Sequence, residues 1–367
     1  MNVPNYSKSL LSLVTSVLAH YGVETKRESY AIFDELLSKN PKNVVVMLFD
    51  GLGENILEKH LSTDDFLLKN RRDVISSVFP PTTTAATTTM VSGLSPAEHG
   101  WLGWTLRFDE IKKNVCVFPN TEFLKDTPAE DFGVGQKYIP YESVFEKIKK
   151  ATSGKVAAEY VSAFSEYKTE TLESVCETVK DLCSQEGEKY VYAYYKQPDH
   201  DIHDYGVNDE RVGAVVKKIN DAVETLSRNL RDTLLVVIAD HGLIDVEWKF
   251  LPEYPVLWDC LDGLPSIEPR ALSLFVKKNK KRVFEKEFRR LFSGEYELFT
   301  KREVFDKRIF GFGTPHAKTK DFVGDYLAVA IGKTALNVIP PTDDVFKAMH
   351  AGSTTDEYSI PFIAVEL

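Results

Sequence analysis

Short apolar runs, rich in β-branched and aromatic residues, recur along this chain of 367 residues. Their nearly continuous hydrophobicity predicts strands that are covered on both faces, as in a parallel sheet. The runs occupy residues 43–49, 189–195, 233–239, 326–331 and 362–365.

Between these runs, apolar positions recur at the spacing of helices. Strands that alternate with helices favour right-handed crossovers and helices on both faces of the sheet. The pattern therefore predicts a three-layer α/β/α sandwich with a mainly parallel central sheet. The predicted helices occupy residues 54–60, 85–91, 141–149, 169–184 and 209–230.

Two stretches interrupt the alternation of strands and helices. Residues 101–140 are rich in aromatic residues, proline and glycine, and residues 247–315 carry additional strand and helix patterns. We interpret both as insertions at the edge of the sheet that form a small cap. A chain of this length can fold as one body, so we expect a single catalytic domain over residues 1–367.

Residues 10–19 are apolar enough to resemble the core of a signal peptide. Ser12, Thr15 and Ser16 alternate there with leucine and valine at helical spacing, which predicts an amphipathic helix. No cleavage site of small residues follows this segment. The four cysteines form no CxxC pair, a usage typical of a reducing compartment. We therefore expect a cytoplasmic protein.

Composition and charge exclude some partners. Hydrophobic residues make up 43% and charged residues 27% of the chain, as in ordinary globular proteins. The net charge of −10 gives no indication of a nucleic-acid surface. The apolar runs are also far shorter than the roughly 20 residues of a membrane-spanning helix, so we expect no membrane span.

Carboxylates and imidazoles follow three of the predicted strands. Asp50 directly follows the first, Asp199 comes shortly after the second, and His203 lies one helical turn after Asp199. Asp240 and His241 end the third strand. Because the carboxyl ends of parallel strands meet at one edge, these carboxylates should converge and repel one another unless a cation neutralises them. Mixed oxygen and nitrogen donors suit zinc.

A threonine-rich stretch, FPPTTTAATTTMVSG at residues 79–93, carries the second candidate group. Its small residues allow a helix to begin near Thr84, close to the sheet. A hydroxyl at that point would lie beside free backbone N–H groups, which bind anions. Such a threonine can simply cap the helix, or it can act as a nucleophile when a metal stabilises its alkoxide.

Together, these segments resemble the alkaline phosphatase superfamily, and specifically its nucleotide pyrophosphatase/phosphodiesterase branch. The chain order Asp, Thr, Asp-x-x-x-His, Asp-His, His is the order that this family shows, and the resemblance spans most of the chain. The matching segments are VVVMLFDG (44–51), VFPPTTTAATTTMVSGLSPAEHG (78–100), YYKQPDHDIHDYG (194–206), IADHG (238–242) and HAGSTTDEYSIPFI (350–363).

The resemblance implies a threonine nucleophile and two divalent metal ions, which we expect to be Zn²⁺, with manganese and iron as the alternatives. The family's nucleophile lies ten residues before the glycine of a Thr-Gly or Ser-Gly pair, so counting back from Gly93 gives Thr83. The implied ligands are Asp50, Thr83, Asp240 and His241 for one metal, and Asp199, His203 and His350 for the other.

The last ligand of the second set has two candidates. His350 opens HAGSTTDEYSIPFI, which resembles the segment before the family's final strand, although Ala351 stands where glycine is usual. His316, in GFGTPHAKTKDFVGDY, is the alternative ligand or a substrate contact. We favour His350 as the ligand.

The substrate contacts depart from the family pattern. Ala86 stands where eukaryotic-type members place an asparagine that holds a phosphoryl oxygen. Backbone amides near Thr83 and Thr84, or another side chain, would then bind this oxygen. We therefore take Thr84, His316 and Trp104 as candidate substrate-binding residues.

The function that the resemblance implies is hydrolysis of phosphodiester or pyrophosphate bonds through a phosphothreonine intermediate. The expected substrate is a small-molecule phosphate ester or a nucleotide-like compound. A phosphomonoesterase or a phosphonate hydrolase could use the same two-metal site. A metal-binding module without turnover is the alternative from a different class.

Overall fold

The computed structural model describes residues 4–125, 127–339 and 345–367. The strands of these residues are β1 (Asn43–Phe49), β2 (Arg71–Ser76), β3 (Thr105–Phe108), β4 (Lys113–Cys116), β5 (Thr121–Glu122), β6 (Val156–Val161), β7 (Glu188–Tyr195), β8 (Thr233–Ile238), β9 (Ile244–Asp245), β10 (Glu247–Phe250), β11 (Ser266–Glu268), β12 (Ala271–Leu274), β13 (Tyr296–Thr300), β14 (Tyr326–Ala330), β15 (Thr334–Asn337), β16 (Ala348–Met349) and β17 (Ser359–Glu366).

Short 3₁₀ helices cover Tyr6–Lys8 and Leu251–Glu253. The α-helices are α1 (Leu10–His20), α2 (Ala31–Leu37), α3 (Glu54–His60), α4 (Phe66–Lys69), α5 (Thr83–Ser92), α6 (Pro96–His99), α7 (Val134–Tyr138), α8 (Val144–Ala151), α9 (Leu172–Ser184), α10 (Asp199–Tyr205), α11 (Glu210–Ser227), α12 (Pro255–Trp258), α13 (Lys281–Leu291), α14 (Lys301–Asp306), α15 (Ala317–Phe322) and α16 (Thr355–Tyr358).

The central sheet has six strands in the order β2-β17-β8-β1-β7-β6. β1 lies parallel to β7 and β8, with Asn43 opposite Lys189 on one side and Thr233 on the other. β6 continues the parallel arrangement beside β7, whereas β17 runs antiparallel between β8 and β2. The predicted α/β fold with a mostly parallel central sheet is confirmed.

Two groups of helices cover the central sheet. One group contains α1, α2, α5 and α8, and the other contains α3, α4, α9, α10 and α11. Between the two groups of helices, strands β1 and β8 are buried over their whole length. Burial on both faces explains why these strands have no alternation of polar and apolar residues.

The helix predicted near the N-terminus is confirmed as α1, but its polar side is buried and not exposed as an amphipathic helix requires. Helix α1 is buried around its whole circumference, including Ser12, Thr15 and Ser16. The Ser12 hydroxyl donates to the Ser9 carbonyl, and the Thr15 hydroxyl donates to the Leu11 carbonyl at 2.7 Å. Because local backbone carbonyls accept from these hydroxyls, they can be buried at little cost.

A second sheet has seven strands in the order β13-β14-β12-β11-β3-β4-β5, and all its pairings are antiparallel. The stretches 101–140 and 247–315 supply six of these strands, and the seventh strand is β14. Residues 326–331 were predicted as a strand of the parallel sheet, and this prediction is wrong. An apolar run that is buried on both faces has the same pattern in either sheet.

Each face of the second sheet carries apolar side chains into a separate core. On one face Phe108 packs edge-on against Phe322, with ring centroids 5.1 Å apart. On the other face, helix α13 contributes Phe284 and Phe288, and Phe292 directly follows the helix. The second sheet is therefore supported from both sides and can hold its strand ends firmly beside the central sheet.

No helix within the described ranges is both long enough and apolar enough to cross a membrane.

Candidate active and metal site

Three turns meet at the carboxyl ends of neighbouring central strands. Asp50 directly follows β1, and the backbone N–H of Asp50 donates to the Tyr195 carbonyl at 3.0 Å. The N–H of Asp199, the first residue of α10, donates to the Asp50 carbonyl at 2.9 Å. The Asp240 carboxylate accepts from the N–H of Gly51 at 3.0 Å. These bonds fix the three aspartates beside one another.

Gly51 allows the β1 turn to pass this close to α10. Its φ is +71°, a conformation that residues with a Cβ rarely adopt. A Cβ at this position would also lie 2.9 Å from the Cα of Asp199. The Asp-Gly pair after β1 is therefore required both by the backbone conformation and by the close approach.

Thr83 begins helix α5 and points toward the same turns. Its Oγ1 lies 3.2 Å from Nε2 of His241 and 3.3 and 3.4 Å from the two carboxylate oxygens of Asp50. The preceding residue, Thr82, does not cap the helix with its side chain. The first N–H groups of α5 are therefore left free of a side-chain cap and can bind an anion.

A second group of side chains surrounds Asp199. Nε2 of His203 lies 3.3 Å from Oδ2 of Asp199, because the two residues are one turn apart on α10. The His350 ring stacks on the His241 ring with centroids 3.9 Å apart, and its centroid lies 5.3 Å from that of His203. His350 therefore joins both groups of residues.

Backbone carbonyls orient two of the imidazoles. Nδ1 of His203 donates to the Ala348 carbonyl at 2.7 Å, and Nδ1 of His241 lies 3.2 Å from the Gly242 carbonyl. Since a carbonyl only accepts, each Nδ1 carries the proton. The opposite nitrogen, Nε2, of each ring faces the carboxylates, as in histidines that ligate metals.

The geometry fits a metal centre. Ligand atoms of Asp50, Asp240 and His241 lie within 4.8 Å of one another, as do those of Asp199, His241 and His350. Oδ1 of Asp199, Oδ2 of Asp240 and Nδ1 of His350 are enclosed, yet none of them has a hydrogen-bond partner among the described residues. Buried polar atoms are normally paired, so these atoms have the chemistry and the free valence of metal ligands.

Charge repulsion points to the same conclusion. Burial raises the pKa of Asp50 well above its usual value, and the negative charges of Asp240 and Asp199 raise it further. Burial also raises the pKa of Asp240. Burial opposes ionisation of Asp199 as well, but His203 and His350 outweigh it and lower the pKa of that carboxyl. Three adjacent carboxylates remain ionised together only with added positive charge.

The sequence of this region matches one family model, that of the type I phosphodiesterase/nucleotide pyrophosphatase family, over residues 44–262. This match covers more than half of the chain and includes the strand ends described above. The chain belongs to this family. The family resemblance predicted from the motifs is thus confirmed, and the protein is a phosphoester hydrolase of the alkaline phosphatase superfamily.

Solved structures share the fold of this phosphodiesterase-family hydrolase at low sequence identity. Murine ectonucleotide pyrophosphatase/phosphodiesterase 5 superposes with a TM-score of 0.65 at 17% identity, over 88% of this chain and 87% of the murine chain. Phosphonoacetate hydrolase from Sinorhizobium meliloti 1021 gives a TM-score of 0.65 at 14% identity, over 88% and 90% of the two chains. No curated protein sequence matches this chain significantly.

A cavity of about 390 Å³ opens beside the candidate ligands. Thr83, Asp199, His203 and His350 form its floor, and the second sheet forms one wall. Among the described residues, neither lysine nor arginine lines it. The wall side chains are mostly aromatic or aliphatic and include Trp104, Phe123, Trp248, Ile267, Leu272, Leu336, Val338 and Phe346.

The three expected substrate contacts of this hydrolase lie in different environments. Trp104 lines the cavity and is 44% exposed. The Thr84 side chain is fully buried and does not line the cavity. His316 caps helix α15 by accepting from the Lys318 N–H at 3.1 Å, and it does not line the cavity. The structure thus brings His350, not His316, to the other candidate ligands.

Two residues at the site were not anticipated from the sequence. Tyr194, near the end of β7, donates a hydrogen bond from its hydroxyl to Oδ2 of Asp50. Glu268, at the end of β11, lines the cavity and accepts a hydrogen bond from the Thr82 hydroxyl at 2.7 Å. Tyr190, Tyr192 and Tyr194 alternate along β7, and this spacing predicts that their side chains lie on the same face of the strand. No sequence signal points to Glu268.

Proposed function

We propose that this protein is a metal-dependent phosphodiesterase that forms a phosphothreonine intermediate on Thr83. One observation carries the proposal. The Thr83 hydroxyl stands at the N-terminus of α5 and within 3.4 Å of both Asp50 and His241. A hydroxyl in this position faces possible metal ligands on one side and free helix N–H groups on the other.

The candidate ligands divide into two sets. When bound, two divalent cations would stabilise the negative charge that develops on the attacking and leaving oxygens. The mixture of carboxylate and imidazole donors favours Zn²⁺. We assign Asp50, Thr83, Asp240 and His241 to one cation and Asp199, His203 and His350 to the other.

The residues of the chain perform the remaining steps. Asp50 and His241 orient Oγ1 of Thr83, which attacks the phosphorus while the bond to the ester oxygen on the opposite side breaks. The alcohol leaves, and Thr83 carries the phosphoryl group until water hydrolyses it. The backbone N–H groups at the start of α5, including that of Thr84, would bind a non-bridging oxygen. This role replaces the asparagine that Ala86 cannot provide.

The cavity favours a diester over a monoester. A phosphomonoester carries nearly two negative charges at neutral pH, and enzymes usually bind the second one with a cationic side chain. The described cavity wall supplies neither lysine nor arginine for this purpose. Its aromatic surface suits an organic group such as a nucleoside. An inactive variant of the murine relative has been solved in complex with AMP, which supports a nucleotide-like substrate.

The test compares bis(4-nitrophenyl) phosphate with 4-nitrophenyl phosphate in the presence of Zn²⁺. We expect kcat/KM for the diester to be higher by about tenfold or more, because the monoester's extra charge meets no cationic residue. A preference for the monoester would retain the hydrolase but overturn the assignment as a phosphodiesterase. It would favour the phosphomonoesterase alternative.

Two variants separate the nucleophile from the ligands. Thr83→Ala should abolish turnover while zinc is retained, because three ligands of its set remain. Asp240→Asn should lower both zinc content and turnover, since it weakens a buried carboxylate ligand. Zinc is measured by elemental analysis after dialysis. Full activity of Thr83→Ala would refute the nucleophile, and zinc retention without hydrolysis of any ester by the unmodified protein would favour a metal-binding module.

We also propose that the enzyme acts in a reducing compartment such as the cytoplasm. Its four cysteines are all free, and two of them, Cys183 and Cys260, are buried. Buried free thiols are typical of proteins that fold under reducing conditions. Fractionation of cells that express the full-length native gene would test this location.

A further inference from the structure

Glu268 places a carboxyl group in the wall of the substrate cavity. The residue ends strand β11 of the second sheet, and it is 6% exposed. Glu268 is hydrogen-bonded to Thr82, the residue that immediately precedes the proposed nucleophile. Glu268 belongs to neither group of possible metal ligands. It is therefore a charged group at the site for which the proposed hydrolysis has no use.

The hydrogen bonds of Glu268 occupy only one of its oxygens. Oε1 accepts from the Thr82 hydroxyl at 2.7 Å and from the backbone N–H of Trp104 at 2.8 Å. Neither bond involves Oε2, and none of the polar atoms enclosed without a partner belongs to Glu268. The first oxygen is thus anchored to the protein, while Oε2 remains available at the cavity wall.

Within the part of the chain that the structure describes, neither lysine nor arginine provides a counter-charge for this carboxyl. Within the described ranges, Glu268 forms no ion pair with a lysine, arginine or histidine. Arg270, only two residues away, directs its guanidinium to Glu357 instead. Burial raises the pKa of Glu268 to about 7, although the hydrogen bonds from Thr82 and Trp104 and the more distant charge of His203 lower it. Buried carboxylates are normally paired with a cation, so the missing partner can arrive with a ligand.

The surroundings of Glu268 limit what that ligand can be. Trp104, Trp248 and Phe346 give the cavity an aromatic lining, and aromatic faces attract cations as well as apolar groups. Asp199, His203 and His350 on the cavity wall are candidate metal ligands. Among the other described residues of the wall, Glu268 alone has an ionisable acidic or basic side chain. Glu268 would repel a negative charge on the organic part of the substrate and attract a positive charge.

We propose that Glu268 is a specificity-determining residue that binds an amino or ammonium group on the organic part of the substrate. The inference rests on the proposed phosphodiesterase activity and narrows its substrate class to phosphodiesters that carry an amine. Oε2 accepts the hydrogen bond from the amine, and the aromatic wall packs against the carbon chain that bears it. Esters with a carboxylate or a second phosphate in the same position bind poorly.

Three phosphodiesters of 4-nitrophenol test this preference. Their second ester group is propyl, 3-aminopropyl or 2-carboxyethyl, so size is nearly constant while charge changes from neutral to positive to negative. With the zinc-loaded full-length enzyme, we expect kcat/KM for the aminopropyl ester to exceed that for the propyl ester by about tenfold or more. The carboxyethyl ester should be about tenfold worse than the propyl ester.

A neutral variant identifies the residue responsible. Glu268→Gln keeps the size of the side chain and an oxygen that accepts from Thr82 and Trp104, but it removes the charge. The ratio of aminopropyl to propyl kcat/KM should fall to about 1–2. Glu247→Gln is the matched control, because Glu247 is exposed and lies outside the cavity wall. This control should keep the ratio of the unmodified enzyme.

Equilibrium binding separates this inference from the proposed function. Isothermal titration of the zinc-loaded protein with propylphosphonate and 3-aminopropylphosphonate measures the same charge preference without turnover. If none of the three esters is hydrolysed but 3-aminopropylphosphonate binds more tightly in a Glu268-dependent manner, the amine site stands and the proposed function fails. Equal rates and equal affinities for the amine and propyl compounds would overturn the inference. A charge preference that persists in Glu268→Gln would also overturn it.

Discussion

The Tyr194 hydroxyl donates a hydrogen bond to Oδ2 of Asp50, from the end of one central strand to the end of its neighbour. Tyr194 lies on β7, whose parallel register with β1 places Tyr194 beside the end of β1. Residues that hydrogen-bond to metal ligands orient them and tune their affinity. Tyr194 therefore fixes the carboxylate that faces Thr83.

Removing this hydroxyl should loosen the metal. Tyr194→Phe keeps the ring but leaves Oδ2 of Asp50 without its donor, so we expect zinc affinity to fall by about 10–100-fold. Competition with a chromogenic chelator measures the change. Tyr195→Phe is the control, because Tyr195 packs edge-on against Phe49 and does not donate to Asp50. Equal affinities of the two variants would show that the bond has no role in metal retention.

Ala351 stores backbone strain next to His350. Its φ is +79°, in the region that disfavours residues with a Cβ, at a cost of roughly 1–2 kcal/mol. Ala351→Gly loses a buried methyl group and gains flexibility when unfolded, but it also releases this strain. We expect its free energy of unfolding to stay within about 1 kcal/mol of the unmodified protein.

The control for Ala351→Gly is the same substitution at a second alanine that is fully buried but whose φ is not positive. Ala328, in the middle of β14, meets this description. Ala328→Gly should lose roughly 1–2 kcal/mol, because the methyl loss and the added flexibility are not offset. Urea denaturation of both variants measures the two values. If Ala351→Gly were destabilised as much as Ala328→Gly, the strain at Ala351 would be negligible.

Arg270, in the turn that joins β11 to β12, and Glu357, in helix α16, form a buried ion pair. The guanidinium donates to both carboxylate oxygens of Glu357, at 2.6 and 2.9 Å, and both side chains are fully buried. Glu357→Gln would leave the Arg270 charge unpaired in the interior. We expect the free energy of unfolding to fall by about 3–5 kcal/mol, measured by urea denaturation.

A double variant tests whether the loss comes from the unpaired charge. Arg270→Met combined with Glu357→Gln removes both charges and retains an oxygen that can accept from the N–H of Gly352. It should be less destabilised than the sum of the two single variants, which gives a coupling energy for the pair. Additive losses would mean that the two charges do not interact.

The raised pKa of Glu268 predicts how stability changes with pH. The folded carboxyl titrates near pH 7, above its ordinary value of 4.5. Between these two pH values the folded state holds a proton that the unfolded state has lost, so stability falls as pH rises. From this group we expect a loss of roughly 2–4 kcal/mol between pH 4.5 and 8 in the metal-free protein.

Glu268→Gln removes this titration. Urea denaturation at pH 5 and pH 8, in the presence of a chelator, should show a smaller decrease of stability in the variant than in the unmodified protein. Both proteins share the other carboxyls of the site. The difference between their losses of stability from pH 5 to pH 8 therefore measures the contribution of Glu268. Identical decreases would show that Glu268 has an ordinary pKa in the folded state.

The sequence was informative where a functional residue directly follows a buried strand. Asp50 and Asp240 end uninterrupted apolar runs, and the carboxyl ends of parallel strands lie at one edge of a sheet. Their convergence could therefore be predicted without coordinates. Thr83 could be located only by counting within the family motif, because its neighbours Thr82 and Thr84 have the same side chain.

The other features of the site and fold depend on tertiary contacts, which the sequence alone does not show. Glu268 meets Thr82 across 186 positions of sequence and belongs to a strand of three residues, so no local pattern marks it. Ser12 and its neighbours in α1 look exposed by polarity, but local carbonyls accept from them and allow burial. The strand at Tyr326–Ala330 has the composition of a parallel strand, and only its pairing partners show that it belongs to the second sheet.

The two sheets contribute different parts of the site. Asp50, Asp199 and Asp240 stand at the strand ends of the central sheet, whereas Trp104 and Glu268 come from the second sheet. A lineage can therefore exchange the residues at positions 104 and 268 and acquire a new substrate while its reaction chemistry is inherited unchanged. For protein engineers, the same separation makes these two positions the natural place to randomise when the enzyme is to be retargeted.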